Sequence, residues 1–286
     1  MMRITESLAE LRKLRGSMEG PFGLVPTMGA LHAGHASLVS SARSECAHVG
    51  VSIFVNPAQF GPGEDFASYP RTLREDLDLL ESLGADVVWT PDRESLYPPG
   101  FQTWISVEEV STPLEGQSRP GHFRGVTTIV AKLLNAFTPD RAYFGQKDAQ
   151  QVVVLRRMVQ DLNFPVELVV CPTIREADGL ALSSRNAYLS AAERQAAVVL
   201  YRALTAAKKR FDEGERNGDA LRSVLRAVLQ AEPLAQEGYV SAADPETLRE
   251  LDRVGADVLL SMAVRIGKTR LIDNILIGGA RDVSRD

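Results

Sequence analysis

Strand and helix signals alternate along the first 171 residues, and that alternation restricts the possible folds more than any other feature. In TESLAELRKLR (residues 5–15) Leu8, Leu11 and Leu14 recur at helical spacing, with Thr5 as the expected N-cap and Glu6 in the first turn. FGLVPT then reads as a short buried strand, and GHASLVSSARSECAHV as a helix that carries His48. VSIFVNP is a β-branched and aromatic run stopped by Asn56 and Pro57. In the helix that follows, Leu73, Leu77, Leu80 and Leu83 share a face and Gly84 ends it. DVVWTP, RAYFGQKD and VELVVCP give three more strands, with GVTTIVAKLLNAF and AQQVVVLRRMVQDL as the helices between them. A strand–helix repeat of this spacing predicts an α/β protein, a parallel sheet with helices on both faces.

The texture changes near residues 172–185, where TIREADGLALSSRNAYLS is polar and contains glycine. Beyond it, AAERQAAVVLYRALTAAKKRF predicts one long helix capped by Ser190, and GDALRSVLRAVLQAE a second. GYVSAADPETLREL reads as a strand followed by a helix, with Asp244 as its cap and Pro245 in its first turn. DVLLSMAVRIG and TRLIDNILI are expected to form a hairpin across the tight GKT turn. The expected division is a larger domain over residues 1–175 and a smaller α+β domain over 176–286.

With 286 residues, 44% of them hydrophobic, the chain can bury a full core without disulfides or a structural metal. Its two cysteines, Cys46 and Cys171, lie far apart and outside any CxxC, which argues against a disulfide framework or a cysteine-rich zinc site. A net charge of −5 argues against binding a nucleic-acid backbone but allows a local basic pocket for a small anion. The N-terminal segment is amphipathic and charged, unlike a secretory signal, and no run approaches the ~18 apolar residues of a membrane span. A cytoplasmic protein with neither nucleic acid nor membrane as partner is expected.

In an open parallel sheet, binding residues gather at the carboxyl ends of the strands. PTMGALHAGH, NPAQFG, FGQKD and TIREADG all fall there. Two of the four histidines, His32 and His35, stand three residues apart in the first of these. As metal ligands they would need a third ligand and usually i, i+4 spacing, as in HExxH, and no Glu stands between them. A polar turn with satisfied imidazoles is a second reading. The third is phosphate binding. Gly29 and Gly34 allow backbone close to a ligand, and a helix beginning near Gly34 points free N–H groups at an anion.

HAGH fits the HxGH signature of nucleotidylyltransferases and class I aminoacyl-tRNA synthetases, and the longer PTMGALHAGH resembles the pantoate–β-alanine ligase family. FVNPAQFG, DFASYPRTLREDL, RPGHFRGVTTIVAKLLNAFTPDRAYFGQKDAQQ, TIREADGLALSSRNAYLS and DPETL match in the same order, so the resemblance covers essentially the whole chain. It implies a Rossmann-like, doubly wound N-terminal domain that binds ATP and pantoate, a smaller C-terminal domain acting as lid, and a homodimer. It also implies ATP-dependent joining of pantoate to β-alanine through a pantoyl-adenylate, releasing AMP and pyrophosphate. Mg²⁺ is inferred with ATP, held through phosphate oxygens and water, and no dedicated metal site is expected.

Carried over by resemblance, ATP contacts are expected from Met28, Gly29, Ala30, Leu31, His32, Ala33, Gly34 and His35. Further ATP contacts are expected from Gly145, Gln146, Lys147, Asp148, Ile174, Leu182, Ser183, Ser184 and Arg185. His32, His35 and Lys147 are the expected catalytic residues: donors on the phosphate oxygens stabilise charge as the displacement proceeds, and the lysine adds a point charge. A solvated surface lysine is the plain alternative for Lys147, and Asp148 is expected both to contact the nucleotide and to cap the helix that follows. Gly145 would let backbone approach the nucleotide, or simply end its strand. The resemblance assigns Gln59 and Gln151 to pantoate and β-alanine, a role that amides, which both donate and accept, can fill. Met28 packs on substrate or fills core. His122 and Arg124 either hold an anion or structure their loop, and Asn56 either binds or ends a strand. Two positions depart from the commonest family pattern: Gln146 stands where Glu is frequent, and Leu182 where Met is usual. Other classes compatible with the signature are a nucleotidyltransferase for another acceptor and a non-catalytic nucleotide-binding module.

Overall fold

A computed structural model describes residues 1–278. Its elements run β1 (Arg3–Thr5), α1 (Leu8–Gly16), β2 (Phe22–Thr27), α2 (Ala33–Glu45), β3 (His48–Ile53), α3 (Leu73–Ser82), β4 (Val87–Trp89) and α4 (Arg93–Leu96). Then come α5 (Glu115–Ser118), α6 (His122–Phe137), β5 (Arg141–Gly145), α7 (Ala149–Asp161) and β6 (Glu167–Cys171). The C-terminal part contains α8 (Ala191–Ala197), α9 (Val199–Asp212), α10 (Gly218–Gln230), β7 (Ala235–Ala243), β8 (Val258–Ile266) and β9 (Thr269–Ile277).

Strand side chains alternate between two faces, and each face has its own core. Phe22, Leu24, Val87, Trp89, Ala142 and Phe144 join one cluster with residues of α1, α6 and α7. Val25, Val88 and Tyr143 point the other way, into a cluster with Leu38, Val39 and Ala42 of α2 and Leu80 of α3. The six strands are parallel in the order β1-β4-β3-β2-β5-β6. The chain winds leftward from β2 through β3 and β4, then crosses to β5 and β6 on the other side. The strand order therefore reverses between β2 and β5, and a crevice opens there at the carboxyl ends. The loops after those two strands are PTMGALHAGH and GQKD.

The second sheet is antiparallel, β7-β8-β9, with β8 and β9 joined through the two residues Gly267 and Lys268. Its own core gathers Leu200, Leu204, Leu221 and Leu225 from α9 and α10 against Val240, Leu260 and Met262. Arg175 ties the two parts together: both terminal nitrogens bond the carboxylate of Asp273 (2.6 and 2.8 Å), itself 2% exposed on β9. No helix among the described residues is long and apolar enough to cross a membrane.

Four local expectations are corrected. Thr5 ends β1, and the cap of α1 is Ser7, whose hydroxyl accepts from Glu10 N–H. His48 opens β3 and is not on the preceding helix. The long helix after Ser190 is two, interrupted at Val198, whose N–H bonds three residues back to Gln195 (3.4 Å) while the apolar period continues. No helix follows Asp244: its carboxylate accepts from the N–H groups of Glu246 and Thr247, and Leu248 turns left-handed (φ 58°). The chain then returns to β7, with Leu251 N–H on Ala242 O (3.0 Å), so pairing with the strand replaces further helical turns.

Candidate active site

At the crevice between β2 and β5 lies a cavity of ≈ 230 Å³. Of the sequence-predicted residues, Met28, His32, Gly34, His35, Gln59, Gly145, Lys147, Asp148, Gln151, Ile174, Leu182, Ser183, Ser184 and Arg185 line it. Gly29, Ala30, Leu31, Ala33 and Gln146 do not line it. Gly29 (φ 80°) and Ala30 (φ 51°) form a left-handed turn, and their N–H groups are turned onto Thr27 Oγ1 and the Asp76 carboxylate. Leu31 N–H reaches the same carboxylate, Ala33 opens α2 with its side chain exposed, and Gln146 turns to β9. A Cβ on Gly29 would meet Asp76 Oδ2 at 3.1 Å and Ile53 Cγ2 at 3.2 Å, so only glycine passes there without displacement.

His32 is the N-cap of α2 and forms a reciprocal capping box with His35. His32 Nδ1 accepts from Gly34 N–H (3.1 Å), and His35 Nδ1 accepts from His32 N–H (3.3 Å). A backbone N–H can only donate, so neither Nδ1 carries the proton, and both neutral rings are protonated at Nε2. Burial, with Lys147 acting in the same direction, lowers the His32 pKa to about 4. Burial and the neighbouring His32 ring, its centroid 4.2 Å away, lower His35 to about 3. At neutral pH the site presents two uncharged Nε2–H donors beside the first N–H groups of α2.

Lys147 follows β5 on a single 3₁₀ turn, Gln146–Asp148, with its side chain 19% exposed and Nζ 3.7 Å from Asp148 Oδ1. Asp148 occupies the N-cap position of α7 as expected but makes no side-chain capping bond, so its carboxylate is left toward the lysine and the cavity. Asn274 of β9, absent from the sequence reading, holds this turn. Its Nδ2 donates to Gln146 O (3.0 Å) and Lys147 O (2.8 Å), while its Oδ1 accepts from Gln146 Nε2 (3.1 Å). Gln146 thereby fixes the orientation of the Asn274 amide. Its departure from the common Glu has a structural partner.

The Ser183–Arg185 segment closes the opposite side. Ser184 Oγ donates to Ala30 O (3.1 Å), and Arg185 pairs in bidentate fashion with Asp65 (2.9 and 3.0 Å). Ile174 O accepts from Leu182 N–H (3.0 Å), which seats that loop on the end of β6.

Gln59 is nearly buried and pre-oriented. Asn56 Nδ2 donates to its Oε1 (3.1 Å), its Nε2 donates to Met28 Sδ (3.0 Å), and Tyr97 OH donates to Asn56 Oδ1 (2.9 Å). Asn56 therefore does more than end a strand. Gly125 of α6 permits this packing, since a Cβ there would lie 2.2 Å from Ala58 O. His122 Nδ1–H donates to Gln59 O (2.8 Å), so Nε2 is the acceptor for Arg119 Nη1–H (3.1 Å). Both ring nitrogens are occupied, and burial, then Arg119, lowers its pKa to about 4. Arg119 is in turn bidentate to Glu64 (2.7 Å each). His122 thus braces the Gln59 loop, and Arg124 stacks on Trp104 (4.7 Å) away from the cavity. Phe54, Val126, Ile129 and Leu133 form an apolar wall beside Gln59. Arg119 and Asp76 lie within the family-matching segments RPGHFRG and DFASYPRTLREDL without being singled out by them, and Asn274 lies outside all such segments.

A pH prediction follows from the three lowered imidazoles. Their folded-state values of about 4, 3 and 4 lie below the ordinary 6.5, so unfolding takes up protons between these limits. Stability is undiminished above pH 6.5 and falls as the pH drops toward 4. Urea midpoints measured across this window should fall with pH, and fall less steeply for His35→Gln. A midpoint independent of pH, or an equal slope in both proteins, would contradict neutral burial.

A family model described as pantoate-beta-alanine ligase matches residues 3–276. A pantothenate synthetase from Roseiflexus castenholzii is 60% identical over 276 residues, covering 96% of this chain and 99% of that one. Another, from Chloroflexus aurantiacus, is 58% identical over 279 residues, covering 97% and 99%. Among solved structures, pantothenate synthetase from Thermus thermophilus superposes with a TM-score of 0.92 at 48% identity, covering 96% and 99%. A Francisella tularensis pantoate-beta-alanine ligase, complexed with beta-gamma ATP and beta-alanine, gives 0.79 at 37% identity, covering 96% and 98%.

Proposed function

The chain belongs to the pantoate–β-alanine ligase family and joins pantoate to β-alanine to give pantothenate; on that premise we propose that it does so with ATP, through a pantoyl-adenylate, releasing pyrophosphate and then AMP. The observation that carries this reading is the convergence of two Nε2–H imidazoles, Lys147 and the Ser183–Arg185 loop on one cavity beside a helix N-terminus. That is a donor set for a polyphosphate.

A carboxylate resists amines at neutral pH because its leaving group is poor. A pantoate carboxylate oxygen attacks the α-phosphorus, the bond to the β-phosphate oxygen breaks, and pyrophosphate leaves with the electron pair. Negative charge grows on the α-phosphate oxygens, where preorganised donors act most strongly. His32 and His35 serve there as neutral hydrogen-bond donors. A group with a pKa of about 3 or 4 is almost wholly unprotonated at neutral pH and has no second proton to give. Lys147 supplies positive charge to the triphosphate, while Arg185, whose charge Asp65 already balances, serves as a hydrogen-bond donor at the cavity edge. The free amine of β-alanine then attacks the acyl carbon, the bond to AMP breaks, and the nitrogen loses a proton to solvent.

Gln59 and Gln151 are assigned to the hydroxyl and carboxylate groups of pantoate, and the apolar wall of Phe54, Val126 and Ile129 suits its dimethyl carbon. Magnesium would enter with ATP through phosphate oxygens and water. Asp148, the carboxylate among the described residues that line the cavity, is the oxygen ligand the chain offers, and the ion would neutralise phosphate charge. We read residues 1–175 as the ATP- and pantoate-binding domain and 176–286 as a lid, supported by the Ser184–Ala30 and Arg185–Asp65 contacts across the cavity. Family resemblance supports a cytoplasmic homodimer.

The test is pantoate-dependent exchange of labelled pyrophosphate into ATP, with AMP released only after β-alanine is added. Pyrophosphate release that needs an acceptor other than pantoate would point to a different nucleotidyltransferase. ATP binding without turnover would leave only a binding module.

A further inference from the structure

We propose that Asp76 is a positioning residue for adenylate formation, holding the left-handed turn that carries His32; this rests on the adenylation reading above. Asp76 lies in the first turn of α3 and is 2% exposed. A buried carboxylate needs compensation. Its partners are two consecutive backbone N–H groups of the histidine loop, Ala30 to Oδ2 (3.0 Å) and Leu31 to Oδ1 (2.8 Å), and the Thr72 hydroxyl to Oδ1 (3.1 Å). The Thr72 hydroxyl, placed to cap α3, makes no capping bond and serves the carboxylate instead. The N-terminal turn of α3 adds a favourable field for the charge.

The turn needs a holder. Ala30 sits at φ 51°, a region that L-residues avoid because Cβ crowds the carbonyl oxygen. Its N–H is held by Asp76, and its carbonyl accepts from Ser184 Oγ (3.1 Å). One residue beyond Leu31, the N–H of His32 must meet His35 Nδ1 (3.3 Å) for that ring to keep its proton on Nε2. The carboxylate therefore sets the backbone that orients both imidazoles and seats Ser184. It does not line the cavity, so it acts through the turn.

Asp76→Asn is the informative substitution. An amide offers one acceptor oxygen where the carboxylate offers two, and its NH₂ would face a backbone N–H, so one of the two bonds to the turn must break. It also removes a negative charge near the expected phosphate site. If the charge alone mattered, exchange would improve. If the turn matters, exchange falls.

Purified wild-type chain, Asp76→Asn and Asp76→Asn/Ala30→Gly are compared in pantoate-dependent pyrophosphate exchange, and in conversion of supplied pantoyl-adenylate and β-alanine to pantothenate. We expect Asp76→Asn to lower the exchange kcat by about 10²-fold, the scale of misplacing a transition-state donor, with KM for pantoate changed less than about threefold. Conversion of supplied adenylate should fall less than about tenfold. Ala30→Gly, which removes the cost of the left-handed backbone, should restore exchange of the Asp76→Asn chain by about fivefold or more. Wild-type exchange in Asp76→Asn, or no rescue by Ala30→Gly, overturns the proposal. If Asp76→Asn does not fold, Thr72→Val removes a single donor to the carboxylate and should lower exchange about threefold. No change there overturns it equally. Absence of exchange in the wild-type chain would instead defeat the adenylation reading itself.

Discussion

Alanine in place of His35 is expected to lower pantoate-dependent pyrophosphate exchange by about 10²-fold or more, and His32→Ala by a similar factor, the usual loss for one donor to transition-state charge. Each imidazole also has a structural job, because His32 caps α2 and His35 receives the His32 N–H. A lost cap costs about 1 kcal/mol of stability, so alanine alone confounds two effects. His32→Asn separates them. Asparagine is among the best N-caps and can still accept from Gly34 N–H, but it is too short to place a donor where Nε2–H stands. That variant should keep the melting temperature within a degree or two of the wild type, on the order of a surface change. It should still lose about 10²-fold in exchange. Full activity in His32→Asn would end the phosphate role of that ring and leave the helix cap as its whole function.

Removal of the Lys147 charge is the second large effect. Lys147→Met keeps the apolar stem and should reduce exchange by about 10²–10³-fold, since a partly buried cation opposite the triphosphate acts both on binding and on leaving-group charge. Lys147→Arg should recover only part of this, because a planar guanidinium cannot replace an ammonium held 3.7 Å from Asp148 on a tight turn. The substitution carries a second signature. Lys147 helps hold His32 and His35 below the ordinary imidazole value, so its loss moves both upward. The acid limb of the exchange profile should shift toward neutral pH in Lys147→Met. An unshifted limb with full activity would show that the lysine does not face the phosphates.

The sequence and the three-dimensional site overlap unevenly. PTMGALHAGH, GQKD and SSRN were legible because each is a short segment whose glycines, turn residues and donors act locally, and whose place follows from the strand before it. Their mutual distance was also accessible in outline, since a parallel sheet delivers such loops to one edge. Gln59 and Gln151 became visible only through resemblance, because nothing local distinguishes a binding amide from a surface one. The roles of Asp76 and Asn274 were not legible, although Asp76 lies within the matching segment DFASYPRTLREDL. One is an ordinary acidic residue in the first turn of a helix, the other a polar residue in a strand, and their partners lie 45 to 46 and 127 to 128 positions away.

Local structure divides along the same line. Hydrophobic period decided that the chain alternates strand and helix, because burying one face of each element is a local pattern with a global consequence. It could not see the break at Val198, where the apolar stripe continues through Ala197, Val199 and Leu200. Nor could it see the segment after Asp244 abandon a helix to pair with β7. Amino-acid order by itself determined the α/β class, the family and the loops that meet at the cavity. The tertiary structure decided which imidazole nitrogen carries the proton, that of the three histidines lining the cavity His122 has both ring nitrogens taken while His32 and His35 keep an Nε2–H, and which distant side chains hold the loops. Those outcomes depend on hydrogen-bond partners brought together from remote segments, and a nitrogen's role is fixed only once its partner is beside it.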